Sequence, residues 1–245
     1  AFTSFALNDD DLYLLDANGT FRCTRVNNGS TKWTRESVKR FMTNGTSLYF
    51  LTTSGFLSIN PYTGSTLADM TNITINHDDL TFWQGNKLLR AAGNTITEFD
   101  GTSWIPVLTD SLNEIIVDVA ADDLGIAYMT QGGRLVLQAA ADGSLREIAT
   151  GLTVGTIMLG SDRITLASTS GMEIYDRAAL TLIASNTLEA GSVAGALEKD
   201  FITSTLGIHA VNIYTGEVIW EQTGEQALDL ALSGERLYVL FTDGP

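Results

Sequence analysis

The sequence predicts an all-β protein: a β-propeller of seven four-stranded blades, the last of them incomplete in this chain. Three observations predict it. An apolar strand recurs at a nearly constant interval, turns of hairpin chemistry separate short strands, and no stretch carries sustained helical periodicity. For 245 residues, length alone leaves one or two domains open. The even repetition favours one.

The recurring strand is the second of each unit. It reads Leu12-Tyr13-Leu14-Leu15, Leu48-Tyr49-Phe50-Leu51, Lys87-Leu88-Leu89, Ile126-Ala127-Tyr128-Met129, Ile164-Thr165-Leu166-Ala167, Phe201-Ile202-Thr203 and Leu237-Tyr238-Val239-Leu240. With Leu12, Leu48, Leu88, Ile126, Ile164, Ile202 and Leu237 as anchors, the intervals are 36, 40, 38, 38, 38 and 35 residues. The units fall at approximately 1–38, 39–76, 77–113, 114–152, 153–190, 191–226 and 227–245. Each holds about four strands, and four-stranded units at this spacing are the mark of a propeller. One blade cannot cover both of its faces, so it needs neighbours on either side, and a closed ring supplies them.

The turns support the strands. Asn18-Gly19, Asn28-Gly29, Asn44-Gly45, Asp100-Gly101, Asp142-Gly143 and Asp243-Gly244 tolerate the positive φ of tight hairpins. Thr, Val and Ile fill the runs between them, and only three prolines occur. Residues 186 to 199 contain two glycines in their middle and read as a connection. The seventh unit offers a first strand at Leu228–Leu232 and a second at Leu237–Phe241, then Asp243-Gly244-Pro245. Because the first unit opens with its own strand, Phe2 to Leu7, the expectation is a longer polypeptide that completes the seventh blade and closes on seven or eight.

His209-Ala210-Val211-Asn212-Ile213-Tyr214-Thr215-Gly216-Glu217-Val218-Ile219-Trp220 carries a family resemblance. It resembles the Ala-x-Asn/Asp-x-x-Thr-Gly-x-x-x-Trp repeat of quinoprotein-like (PQQ-type) propellers, within the broader WD40-like superfamily. Unit two has Ser58-Ile59-Asn60-Pro61-Tyr62-Thr63-Gly64 with Ala68 in place of the tryptophan, and unit one keeps Asn28-Gly29-Ser30-Thr31-Lys32-Trp33. The resemblance implies that Trp33, Trp220 and Gly216 are structural, the tryptophans packing between adjacent blades. The dehydrogenases of that family use a vicinal cysteine pair, and this chain has a single cysteine, Cys23. Quinone-dependent oxidation is therefore disfavoured, and no cofactor is expected.

Charge narrows the partners. Against 29 acidic residues stand 14 basic ones, a formal charge of −15. Such a field repels phosphate, which argues against nucleic acid and against an anionic membrane surface. No run of apolar residues is long enough to insert in a bilayer.

No catalytic or metal-binding constellation is visible. His77 and His209, the only histidines, have no ligand or nucleophile at useful spacing. Cys23 falls on the third strand of blade one as a buried thiol. Asp16-Ala17-Asn18-Gly19 resembles the opening of a calcium loop, but no glutamate stands at its twelfth position. One feature is organised. Asp10, Asp11, Asp122, Asp123, Asp162, Asp200 and Glu235 all fall at the turn between first and second strands, so they are expected on one face of the disc. That face is read either as a solvated rim or as a surface for a basic partner or divalent ions.

The expectation is a non-catalytic interaction or scaffold module of a larger surface, secreted or virion protein, extracellular, binding a protein or a glycan. The alternative is a glycan hydrolase or lyase with its site at the mouth of the central channel.

Overall fold

In a computed structural model, the residues described are 2–8, 10–44, 46–70, 73, 75, 79–152, 155–195, 199–233 and 236–241. They form strands and turns and no helix. Blade one is β1 (Phe2–Asn8), β2 (Asp11–Asp16), β3 (Phe21–Arg25) and β4 (Thr31–Arg35). Blade two is β5 (Val38–Thr43), β6 (Leu48–Thr52), β7 (Phe56–Ile59) and β8 (Thr66–Met70). Blade three is β9 (Leu80–Gln84), β10 (Lys87–Ala92), β11 (Thr95–Phe99) and β12 (Trp104–Thr109). Blade four is β13 (Ile116–Asp122), β14 (Gly125–Thr130), β15 (Arg134–Ala139) and β16 (Leu145–Ala149). Blade five is β17 (Thr156–Leu159), β18 (Arg163–Ser168), β19 (Gly171–Asp176) and β20 (Leu182–Asn186). Blade six is β21 (Val193–Gly195), β22 (Lys199–Ser204), β23 (Gly207–Asn212) and β24 (Val218–Thr223). A last sheet has only β25 (Ala227–Ser233) and β26 (Arg236–Phe241).

Each blade is an antiparallel meander in chain order. The first strands lie innermost: β9 packs against β5 and β13, β17 against β13 and β21, and β25 against β21 and β1. The two-stranded sheet thus sits between blade six and blade one and brings the ring round. Among the described residues there are six four-stranded blades, not seven, because the seventh unit contributes a hairpin alone. The stretch 186–199, expected as a connection, contains the short inner strand β21. The sixth anchor also shifts. By register the residue equivalent to Ile164 is Asp200, two positions before Ile202.

Burial explains why the second strand was the legible one. It lies inside its own sheet and is covered by neighbours on both faces, so β14 and β18 are buried along their whole length. Between blades one and two the filling is aromatic: Tyr13, Phe21 and Phe50 are fully buried, with Trp33 and Phe41 packed against them. A fully buried ring of this kind contributes about 2 kcal/mol. Outer strands face solvent, and β24 is exposed throughout.

The Asn-x-x-Thr-Gly motif is the turn between third and fourth strands. Asn60 Oδ1 accepts from the Tyr62 and Thr63 amides, and Asn212 Oδ1 from those of Tyr214 and Thr215. Gly64 and Gly216 close the turns at φ +73°, a conformation that glycine adopts without strain. Both are also places of close approach to the previous blade. A Cβ on Gly64 would lie 2.6 Å from the Trp33 ring, and one on Gly216 would lie 2.9 Å from the Ser185 carbonyl.

Candidate interaction face

In a four-stranded meander the first-to-second and third-to-fourth turns emerge at the same end. In this ring they build one face. The sequence-selected acids divide into two groups there. Asp10, Asp123 and Asp162 are exposed in their turns. Asp11, Asp122 and Asp200 are committed to the fold. The Lys32 ammonium lies 2.6 Å from Asp11. Arg177 reaches back from blade five to grip both oxygens of Asp122, at 2.5 and 2.6 Å. Burial alone would raise the Asp122 carboxyl, yet the Arg177 guanidinium and the Leu124 and Gly125 amides hold it below its usual range.

Asp200 corrects its expected place. It is not in a turn but inside β22, fully buried. Arg163 Nη2 donates to it at 2.8 Å and Thr165 Oγ1 at 2.5 Å, both from blade five. Its position is an apolar anchor in the other blades, and a charge survives there only because it is paired and hydrogen-bonded. Glu235 and His77 lie outside the described residues. A pattern search on acids could not separate exposed from buried carboxylates, since Arg163 reaches Asp200 and Arg177 reaches Asp122 only across a blade junction.

Blades three and four leave an open groove on this face, about 630 Å³, lined among others by Gln84, Asn86, Lys87, Glu98, Asp123 and Gln138. Its cause is the Asp142-Gly143 turn of blade four. A Cβ on Gly143 would meet nothing within 4 Å, so this turn does not close on the previous blade as Gly64 and Gly216 do. Lys87 and Glu98 pair at 3.1 Å on its wall, and Asp123 stands at its rim. The groove offers amides and charges of both signs. No motif marks it, because it arises from a turn that fails to dock.

A smaller channel-side cavity of about 270 Å³ lies among Ser4, Arg40, Met42, Thr81 and Trp83. Arg40 donates from it to the Asp79 carbonyl, and burial pulls its guanidinium below the usual value. On the inner strands, burial pushes Asp118 up to about 6 and also raises Asp229. Asp118 accepts the Ile157 amide of the next blade at 2.6 Å.

The two tryptophans differ. Trp33 docks on blade two, its Nε1–H donating to the Pro61 carbonyl at 3.1 Å. Trp220, expected to pack likewise, is 46% exposed. His209 Nε2 lies 2.9 Å from Ser204 Oγ, and Nδ1 is 3.6 Å from Glu221. The arrangement outlines a Ser–His–Glu relay, but Ser204 Oγ accepts the Leu206 amide in the same turn that Ser168 and Thr52 cap in blades five and two. It is a turn residue first. Cys23 is buried, and burial pushes its thiol up to about 12. Asp16 accepts the Asn18 and Thr20 amides, which is how it serves its hairpin. Among the described residues no group of three His, Cys, Asp or Glu could hold a metal ion, and no helix is long and apolar enough to cross a membrane.

The sequence matches no protein-family profile and no curated protein. The fold has many solved counterparts. The computationally designed protein Ika8 superposes with a TM-score of 0.75 at 11% identity, over 100% of this chain and 94% of that one. BamB from Moraxella catarrhalis gives 0.70 at 16%, over 100% and 81%. The WD40 domain of Neurospora crassa Pan2 gives 0.73 at 12%, over 97% and 85%. The likeness is one of fold: the chain is a β-propeller of four-stranded blades.

Proposed function

We propose that the protein is an interaction scaffold, and that its partner docks on the face built by the first-to-second and third-to-fourth turns. The observation that carries this reading is the groove between blades three and four, flanked by the exposed carboxylate of Asp123. Asp10 and Asp162 stand unburied on the same face. A surface of that charge, with amide groups in its groove, suits a basic protein segment or a polyhydroxylated glycan. The WD40-type likeness supports a protein partner. We place the module in a larger surface, secreted or virion polypeptide.

The test is cross-linking and affinity capture with the intact chain, followed by Asp123→Lys and Asn86→Trp. Charge reversal at the rim should slow association and weaken its salt dependence, and the tryptophan should block the groove. Capture unaffected by both variants would refute the docking face. A second reading, an enzyme at the channel mouth, draws on the raised carboxyls of Asp118 and Asp229. Glycan turnover lost in Asp118→Asn would favour it.

A further inference from the structure

Two junctions show what the fold itself inserts between an outer strand and the next blade. At junction one–two, Trp33 of β4 donates to the Pro61 carbonyl. At junction four–five, Arg146 of β16 donates to the carbonyls of Arg177 and Ala178. In both, the acceptors precede the left-handed residue that closes the third-to-fourth turn, Gly64 at φ +73° and Leu180 at φ +53°. At junction three–four the same register place in β12 holds Ile105, which pairs with Glu98 and through it with Leu89. Isoleucine has no donor. The matching carbonyls of blade four, Ala140 and Ala141 ahead of Gly143, therefore receive no bond from this place, and Ile105 is 48% exposed.

A carboxylate marks the same junction. Glu98 lies in the middle of the face that blade three turns toward blade four, on the wall of the open groove. Its register place is held by Cys23, Ser58, Leu137, Ile174 and Ala210 in the other blades. Junction two–three also lacks the donor, with Ala68 where Ile105 stands, but it offers Ser58 and no carboxylate there. The groove between blades three and four thus combines turn carbonyls without their donor, a carboxylate on the wall and a second, Asp123, at the rim.

We propose that this groove is a socket for an arginine side chain of a partner protein. The guanidinium donates to the Ala140 and Ala141 carbonyls, as Arg146 does to those of blade five, and pairs with Glu98. The inference deepens the reading of the protein as an interaction scaffold and rests on it. Two carbonyls and a carboxylate call for a planar fork of N–H donors, which an ammonium does not present. A glycan has the donors but not the positive charge that Glu98, Asp123 and a formal charge of −15 attract. Lys87 does not bar the way. Its ammonium is exposed, and an exposed pair such as Lys87–Glu98 contributes little, so it yields to the incoming guanidinium.

The test is an NMR titration of the intact chain with the peptide acetyl-Gly-Arg-Gly-amide. The same peptide with lysine or citrulline in the centre, and maltose, serve as comparators. The arginine peptide should shift the amides of Glu98, Asp123, Ala140 and Ala141, and the lysine and citrulline peptides should bind at least about fivefold more weakly. Glu98→Gln should weaken the arginine peptide by about tenfold, and Lys87→Gln should tighten it. Ile105→Arg supplies the guanidinium from the chain itself, so it should abolish the shifts while the amides of distant blades keep their positions.

Equal binding of the three peptides overturns the proposal. So does maltose moving these amides where arginine does not, or binding that survives both Glu98→Gln and Ile105→Arg. The scaffold reading fails separately. Partner capture lost in Asp123→Lys and Asn86→Trp but intact in Ile105→Arg would sink the arginine socket alone, and capture indifferent to all three would sink both.

Discussion

The junction between blades one and two and the junction between blades four and five solve one problem with different side chains. Arg146 stands in β16 where Trp33 stands in β4: it pairs with Leu137, which pairs with Ala127, the residue after its blade's anchor. Trp33 donates its indole N–H to the Pro61 carbonyl. Arg146 donates to the carbonyls of Arg177 and Ala178 in the corresponding turn of blade five. The fold therefore asks this position for a long side chain with an N–H that reaches the next blade's turn. The ring adds apolar burial, stacking on Phe21 at 5.2 Å. The guanidinium does not, and junction four–five is reinforced instead by the Arg177–Asp122 fork.

The largest effect should come from breaking the aromatic junction. Trp33→Ala removes the stacked ring and the N–H together, and should cost about 3–5 kcal/mol in urea unfolding. Trp33→Phe keeps most of the ring and should cost about 1 kcal/mol, the worth of one net hydrogen bond. If the two variants lost equal stability, the N–H rather than the ring would dominate.

The channel side of junction four–five should respond in the opposite direction. Asp118 accepts the Ile157 amide there, and burial raises its carboxyl from 3.8 to about 6. A carboxyl raised on folding contributes stability in full below its unfolded value, and that contribution is lost as pH climbs to the folded one. Asp118→Asn should therefore stabilise the protein above pH about 6, by up to about 3 kcal/mol, and change little below pH about 4. Melting curves across that window check the sign, and a loss of stability at neutral pH would show that the Ile157 bond needs the charge.

Comparing the junctions also shows what was legible in the sequence. The strand anchors could be read because second strands are covered on both faces, which forces apolar runs such as Ile126–Met129. The tryptophan positions were visible in units one and six because a motif names tryptophan, though only Trp33 acts as a pin. The same pin in unit four was not, because arginine serves the same donor role without the same letter. Asp200 was misplaced into a turn because acids usually sit there; only the approach of Arg163 and Thr165 from another blade makes its burial possible. Trp220 is exposed although it holds the register place of Trp33. Junction geometry is long-range, and no single window of sequence contains it.

Glycine substitutions sharpen the comparison by separating backbone strain from contact. Gly64 and Gly143 share the left-handed conformation, φ +73° and +70°. An added Cβ therefore strains both, by about 1–2 kcal/mol. Only at Gly64 would it strike the Trp33 ring, so Gly64→Ala should cost about 1–3 kcal/mol more than Gly143→Ala. Equal losses would mean that the turn of blade two shifts away from Trp33 at little cost. The open groove beside Gly143 would then owe nothing to turn docking.

The smallest effects distinguish the two polar devices of junction four–five. Arg146→Ala removes donors to neutral carbonyls from an exposed side chain and should cost at most about 1 kcal/mol, nearly independent of salt. Asp122→Asn breaks a charged fork of about the same worth, but its effect should shrink as ionic strength rises. The Asp122 carboxyl is held below its ordinary value in the folded protein. Its contribution is thus present above the unfolded value near 4 and is lost as pH falls through the folded one. Stability of the two variants at low and high salt, at pH about 7 and about 3, gives eight numbers from which the fork and the carbonyl clasp can be told apart. A salt-insensitive Asp122→Asn would place the strength of the junction in its hydrogen bonds and leave charge only the task of orienting Arg177.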